Sequence, residues 1–194
     1  MAGHHGLNAQ RMRGVSLIEL MTVLVIVVVL ASLAVPALDR NRMASLQESA
    51  MTDFRAAVLL AQSEAIKQAA TMVGCPIDAN TVDCAQSPSW ENGWLVFKDG
   101  NGDARYSSGG ADELIRVLRT GDNSFYPKYP ATHFSFNGQG YFSATSSVIV
   151  VCAARRALDP LAYFIMRYGE FMALPDSDGN GNPNDLNGGD LTCG

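Results

Sequence analysis

From Leu20 to Leu38, nineteen residues pass without a charge. At about 1.5 Å per helical residue that run is about 28 Å long, close to the roughly 30 Å of a bilayer's hydrocarbon core. After Asp39 the pattern changes. Met43, Leu46, Ala50, Phe54, Ala57, Ala61, Ala65 and Ala69 recur at steps of mostly three and four, with Glu48, Asp53, Arg55, Glu64 and Lys67 between them. That is one apolar face of an amphipathic helix. Gly74 and Pro76 are stop signals. The pattern therefore predicts one helix from about Val15 to about Val73, kinked at Pro36. Its first half is apolar nearly all round, and its second half needs a surface to pack on.

The remainder reads as strands. Gly93–Phe97 is short, apolar and aromatic, and Glu113–Arg119 alternates imperfectly. Phe134 and Phe136 alternate with polar residues into Asn137-Gly138, a hairpin signal, and Gly140-Tyr141-Phe142 returns. Ser147–Cys152 has the composition of a buried strand. Ala162–Met166 and Phe171–Leu174 flank Tyr168-Gly169, a second hairpin. Short loops favour antiparallel pairing. The expected fold class is α+β: an antiparallel β-sheet laid on the amphipathic half of the N-terminal helix, followed by an Asp-, Asn- and Gly-rich tail from Pro175.

The residues before the apolar run carry the chemistry. Arg11 and Arg13 precede Gly14, then Val15-Ser16-Leu17-Ile18-Glu19 leads into the run. A carboxylate in such a stretch costs about 3 kcal/mol on insertion scales, so Glu19 needs a reason to be there. A secretory signal also has a basic leader and an apolar stretch, and Ser32-Leu33-Ala34 would serve as its cleavage site. Glu19 near the start of the stretch, and apolar residues beyond Ala34, argue against that; an ordinary signal anchor is the other reading.

These residues resemble the processing signal of type IV pilins and type II secretion pseudopilins. The resemblance implies cleavage after Gly14 by a prepilin peptidase, N-methylation of Val15, and a role for Glu19 in assembly. Pro36 falls where that family has a helix-kinking proline. Val15 stands where the family usually has Phe. The implied organisation is a leader at 1–14, a transmembrane and assembly helix at 15–38, and a periplasmic pilin-like domain at 39–194. The protein would sit single-pass in the inner membrane before joining a helical filament of other pilins or pseudopilins.

A second stretch, Trp90-Glu91-Asn92-Gly93-Trp94-Leu95-Val96-Phe97-Lys98-Asp99-Gly100-Asn101-Gly102-Asp103, is similar to a motif of the GspH/FimT family of minor pilins and pseudopilins. The resemblance implies a structural subunit that primes or caps a type IV pilus or a type II secretion pseudopilus. Some relatives of FimT type carry a late Gly-Arg-x-Arg and bind DNA for uptake. Here the hairpin reads Gly169-Glu170-Phe171-Met172, and no Lys or Arg follows Arg167. A DNA-binding minor pilin and a simple membrane-anchored periplasmic protein are the alternatives.

Charge points the same way. Loss of the leader arginines takes the formal charge from −5 to −7, a poor balance for binding polyanions. Arg155-Arg156 is a two-residue basic step. Four cysteines outside the cytoplasm suggest two disulfides, for which three pairings exist. Cys75 with Cys84 would close a short loop around Pro76, and Cys152 with Cys193 would tie the tail to a strand; this is the expected pair. Two acidic loops are candidates for calcium. Asp176, Asp178, Asn180 and Asn182 follow the start of a calcium-loop pattern with Gly181 at its turn, but Asn187 stands where a bidentate Glu belongs. Asp99, Asn101 and Asp103 are the weaker candidate. No enzyme is expected: His4 and His5 lie in the leader, His133 sits at a strand start, and no nucleophile or phosphate-loop motif is present.

Overall fold

The computed structural model describes residues 14–106, 108–120, 124–153 and 158–193, apart from the side chains of 33–37. The chain divides into two compact units after Asp39, and the fold of the second follows from how α1 is used.

The helix α1 runs Leu17–Gln68. In its second half Met51, Phe54, Ala57, Val58, Ala61 and Ala65 are buried, while Glu48, Asp53, Arg55 and Lys67 are exposed, so the charged positions stand on the solvent side. The helix ends five residues before the expected Val73. Ala69 turns into the left-handed region at φ 47°, the Ala69 N–H donates to Ile66 O, and the Ala70 N–H donates to Ala65 O. This is a left-handed C-terminal cap without its usual glycine. The turn at Gly138 packs directly on it: a Cβ there would lie 2.6 Å from the Ala69 carbonyl carbon.

Met72 and Val73, expected to finish the helix, instead open β1, Met72–Pro76, which takes in the two stop residues Gly74 and Pro76 and is buried at every position. It lies at the centre of a five-stranded antiparallel sheet with β2 (Gly93–Lys98), β3 (Glu113–Arg119), β5 (Phe134–Phe136) and β6 (Phe142–Ser143), in the order β3-β2-β1-β5-β6. Gly74 is needed there because the Phe134 ring lies over it; a Cβ would come within 2.2 Å of that ring. A second antiparallel sheet has the order β4-β7-β8-β9, with β4 at Phe125–Lys128, β7 at Val148–Ala153, β8 at Leu161–Ile165 and β9 at Phe171–Leu174. Two sheets thus replace the single expected one. Pro127 masks β4 in the sequence pattern, and a proline is tolerated at this edge position.

One core joins α1 to both sheets. Phe54 sits at its centre, with the rings of Trp90, Trp94, Phe134 and Tyr129 at 5.5, 5.5, 5.8 and 6.0 Å. Met72 and Phe136 enter from the first sheet, and Phe125, Ile149 and Ile165 from the second. The Trp90 indole donates to Ala131 O at 3.0 Å. Burial pushes the Tyr129 phenol above the ordinary tyrosine range, and its hydroxyl donates to Ser146 O. Gln47, buried on α1, donates to Asp159 O.

The outer faces of the sheets are closed by irregular chain. Val73, Cys75, Ile77, Leu95 and Phe97 form a second cluster, covered by Cys84 and Tyr106. Val150, Cys152, Ala162 and Leu174 form a third, covered in part by Leu191 and Cys193. The disulfides pair as expected, Cys75 with Cys84 and Cys152 with Cys193, each with Cα atoms 5.6 Å apart.

Candidate functional site

The candidate site is the start of α1. Gly14 has no neighbour within 4 Å of where a Cβ would stand, and Val15 is 70% exposed. Glu19 falls in the first helical turn, where the helix dipole favours a negative charge. The turn closes through the Leu20 N–H to Ser16 O, and the Thr22 hydroxyl donates to Glu19 O. Among the described residues no cation or donor meets the Glu19 carboxylate.

Between Val15 and Leu30, thirteen large apolar side chains are each more than half exposed. Fully burying one such side chain is worth about 1.5–3 kcal/mol, and with more than half of each still exposed the segment leaves on the order of 10–25 kcal/mol of burial unused. A helix with that deficit needs lipid or neighbouring subunits around it. Among the described residues no helix is long and apolar enough to cross a membrane. The uncharged run Leu20–Leu38 includes residues 33–37, whose side chains lie outside the described set; Pro36 is among them, within α1. The leader residues His4, His5, Arg11 and Arg13 and the step Arg155-Arg156 also lie outside it.

The two acidic loops are built alike. Asp99 accepts from the N–H groups of Gly102 and Ala104, and Asp176 from those of Gly179 and Gly181. The Gly181 and Gly179 donors hold the Asp176 carboxyl below the usual carboxylate range. Asn101 bonds Asp103, Asn180 bonds both Asp178 and Asp190, and the Asn182 N–H donates to the Asn180 side chain. The loops therefore spend most of their oxygens on their own donors. Among the described residues no three His, Cys, Asp or Glu side chains form a group that could hold a metal. His133 is half-buried, 3.4 Å from the Thr132 hydroxyl. In the β8–β9 turn Arg167 lies 4.5 Å over the Tyr141 ring, and Glu170 closes the turn by accepting from the Met166 N–H.

The tryptophan-glycine stretch has a structural use at nearly every motif position. Trp90 opens a 3₁₀ turn over the core, Trp94 and Phe97 point to opposite faces of β2, and Asp99 closes the loop that follows. Gly93, at φ 110°, leaves no room for a side chain, since a Cβ would come 2.1 Å from Leu118 O. This stretch lies inside the segment 50–161 that matches the family of type II transport protein GspH, more than half of the chain.

The chain belongs to the GspH family. As a GspH-family protein it is a minor pilin or pseudopilin, a structural subunit of a pilus or of a secretion pseudopilus. The match begins at Ala50, so Gly14, Val15 and Glu19 fall outside it. Among solved structures it is similar to the type IV minor pilin FimU of Pseudomonas aeruginosa in two crystal forms. One is 17% identical over 71% of this chain and 91% of FimU; the other is 16% identical over 66% and 92%; both have a TM-score of 0.45. Likenesses this distant add nothing to the assignment. No curated protein matches the sequence.

Sequence reasoning did not find a trough that runs between α1 and β3 and is lined by Asp53, Trp94 and Leu118. Its only trace was the imperfect alternation of Glu113–Arg119, whose register on β2 shifts between Val96 and Phe97.

Proposed function

We propose that this GspH-family subunit is made as a precursor with leader 1–14, cut after Gly14 by a prepilin peptidase and N-methylated on Val15. The Leu20–Leu38 run then holds it single-pass in the inner membrane, with the domain from residue 39 in the periplasm. From there it enters a fibre, where it primes or caps assembly. It carries no catalytic activity of its own.

The observation that carries this reading is the exposed apolar helix with one unpaired carboxylate in its first turn. Moving such a helix from lipid into a bundle of like helices keeps it in an apolar environment throughout. Glu19 is costly there unless it meets a cation, because a buried unpaired charge is penalised far more than a paired one. The methylated amine of Val15 on an adjacent subunit is a cation at the right end of the helix. Pairing the two sets the axial register between subunits. The acidic chain, with no Lys or Arg after Arg167, supports a structural subunit over a DNA receptor.

Intact-mass measurement of protein extracted from membranes tests the reading. A chain that starts at N-methyl-Val15 is expected. A chain that starts at Val35, or that keeps residues 1–14, refutes it.

A further inference from the structure

β3 is an edge of the five-stranded sheet, and among the described residues no strand pairs with its outer side. None of its seven residues is fully buried; Leu114 and Val117 are exposed. Between β3 and α1 lies a cavity of about 470 Å³, and a second of about 260 Å³ continues along α1 past the end of β3 to Phe125 and Pro127 on β4. Both are lined by Asp53, Trp94 and Leu118, so together they form one trough along the helix. Trp94 is 2% exposed, and its indole N–H is the one buried side-chain polar group without a partner among the described residues. A buried donor left unpaired is costly, and its cost is relieved by an acceptor brought to it. Opposite charges stand on the walls, Asp53 on α1 and Arg116 on β3, and neither makes an ion pair with a described residue.

We propose that this trough is a docking seat for an extended segment of a different pilin-type subunit, added as a sixth strand to the open edge of β3. The inference rests on the fibre-subunit reading above. Three features select this occupant. First, the N–H and C=O groups of a strand edge are paired by another extended backbone, whereas a helix has already used its own. Second, the trough holds apolar wall and an orphan donor together, which fits a segment that brings a large apolar side chain and an oxygen acceptor to Trp94. Third, the two walls differ in charge, so the incoming segment needs an acid on its β3 side for Arg116 and a base or polar donor on its helix side for Asp53. A second copy of this chain fits worse: antiparallel pairing of β3 with itself about its middle sets Arg116 against Arg116, and like charges directly opposite are destabilising.

The test places the photo-crosslinking residue p-benzoylphenylalanine in the full chain, in cells that carry its own fibre system. It stands in turn at Val117 on β3, at Leu59 on the helix wall, and at Leu24 in the apolar helix. Adducts from Val117 and Leu59 are expected on the same other subunit, within one stretch of about ten residues, the length of a strand. Arg116→Glu is expected to lower those adducts at least about fivefold while leaving the Leu24 adducts unchanged. The proposal is overturned if Leu24 gives adducts with pilin-type subunits but Val117 and Leu59 give none. Adducts with a second copy, with a helical stretch of the partner or with lipid overturn it equally. If Leu24 gives no adduct with any pilin-type subunit, the fibre reading itself fails and the docking seat falls with it.

Discussion

Phe54→Ala is the substitution that most directly probes how α1 is fastened to the domain. Phe54 is fully buried and is the side chain on the helix that meets four other aromatic rings, three of them edge-on at 5.5 to 5.8 Å. Truncating a buried Phe costs about 3–5 kcal/mol, the transfer free energy of the ring plus the cavity it leaves. Edge-to-face contacts contribute about 0.5–1.5 kcal/mol per pair beyond area burial, so the upper part of that range applies here. A loss of about 4 kcal/mol is a large share of the roughly 5–15 kcal/mol by which a typical domain is stable. The assay is urea unfolding of full-length protein in mild detergent, followed by tryptophan fluorescence. The chain has two tryptophans, Trp90 and Trp94, and both rest on Phe54, so the signal reports this cluster directly. Leu59→Ala is the control: Leu59 is 42% exposed on the same helix, and its loss should cost under about 1 kcal/mol. If Phe54→Ala costs no more than Leu59→Ala, the aromatic cluster is not what joins helix to sheets.

Ala69→Gly should raise stability by about 0.5–1 kcal/mol in the same assay, since a residue with a Cβ is strained in the left-handed cap position; a loss would mean that the cap is not populated. Removing Cys152–Cys193 should cost about 4 kcal/mol and removing Cys75–Cys84 about 2.6, because the loops they close span 41 and 9 residues in the chain-entropy model. Cys193→Ser should therefore destabilise more than Cys84→Ser and should expose the tail to a nonspecific protease, and the reverse order would contradict the ledger. Duplex DNA should bind weakly or not at all at about 150 mM salt, since nonspecific binding grows with the number of phosphates neutralised; a micromolar complex measured by fluorescence anisotropy would restore the DNA-uptake reading.

Most of the strands were legible because their signals are local. Asn137-Gly138 announces its own hairpin, and β2 is marked by its run of apolar and aromatic residues. The end of α1 was not legible, because Ala69 is an ordinary helix former. What stops the helix is distant in sequence: the Gly138 turn pressed against the Ala69 backbone. Once that stop is missed, Met72 and Val73 read as the last residues of the helix and Gly74 and Pro76 as its terminators, so the central strand of the sheet goes unseen. Nor was β4 legible, because Pro127 is a strand breaker in sequence and an edge residue in space. At the N-terminus the position of Glu19 in an apolar run was evident from sequence, because it needs no tertiary partner to be read. The trough over Trp94 needed the register of β3 on β2, including its bulge, which no local pattern encodes.

The two disulfides close separate intervals of the chain, 75–84 and 152–193, and each lies on the outer face of a different sheet. No disulfide therefore joins one sheet to the other; the seam between them is the apolar contact around Phe54, edged by the Phe142 N–H donating to Arg167 O. Under tension the crosslinks act as local rivets and not as a tether across the seam. A load that opens the domain would part the sheets along the aromatic contact while each keeps its own cover in place. The two pieces stay on one chain with their registers intact, so such a rupture can heal by re-docking once the load is released.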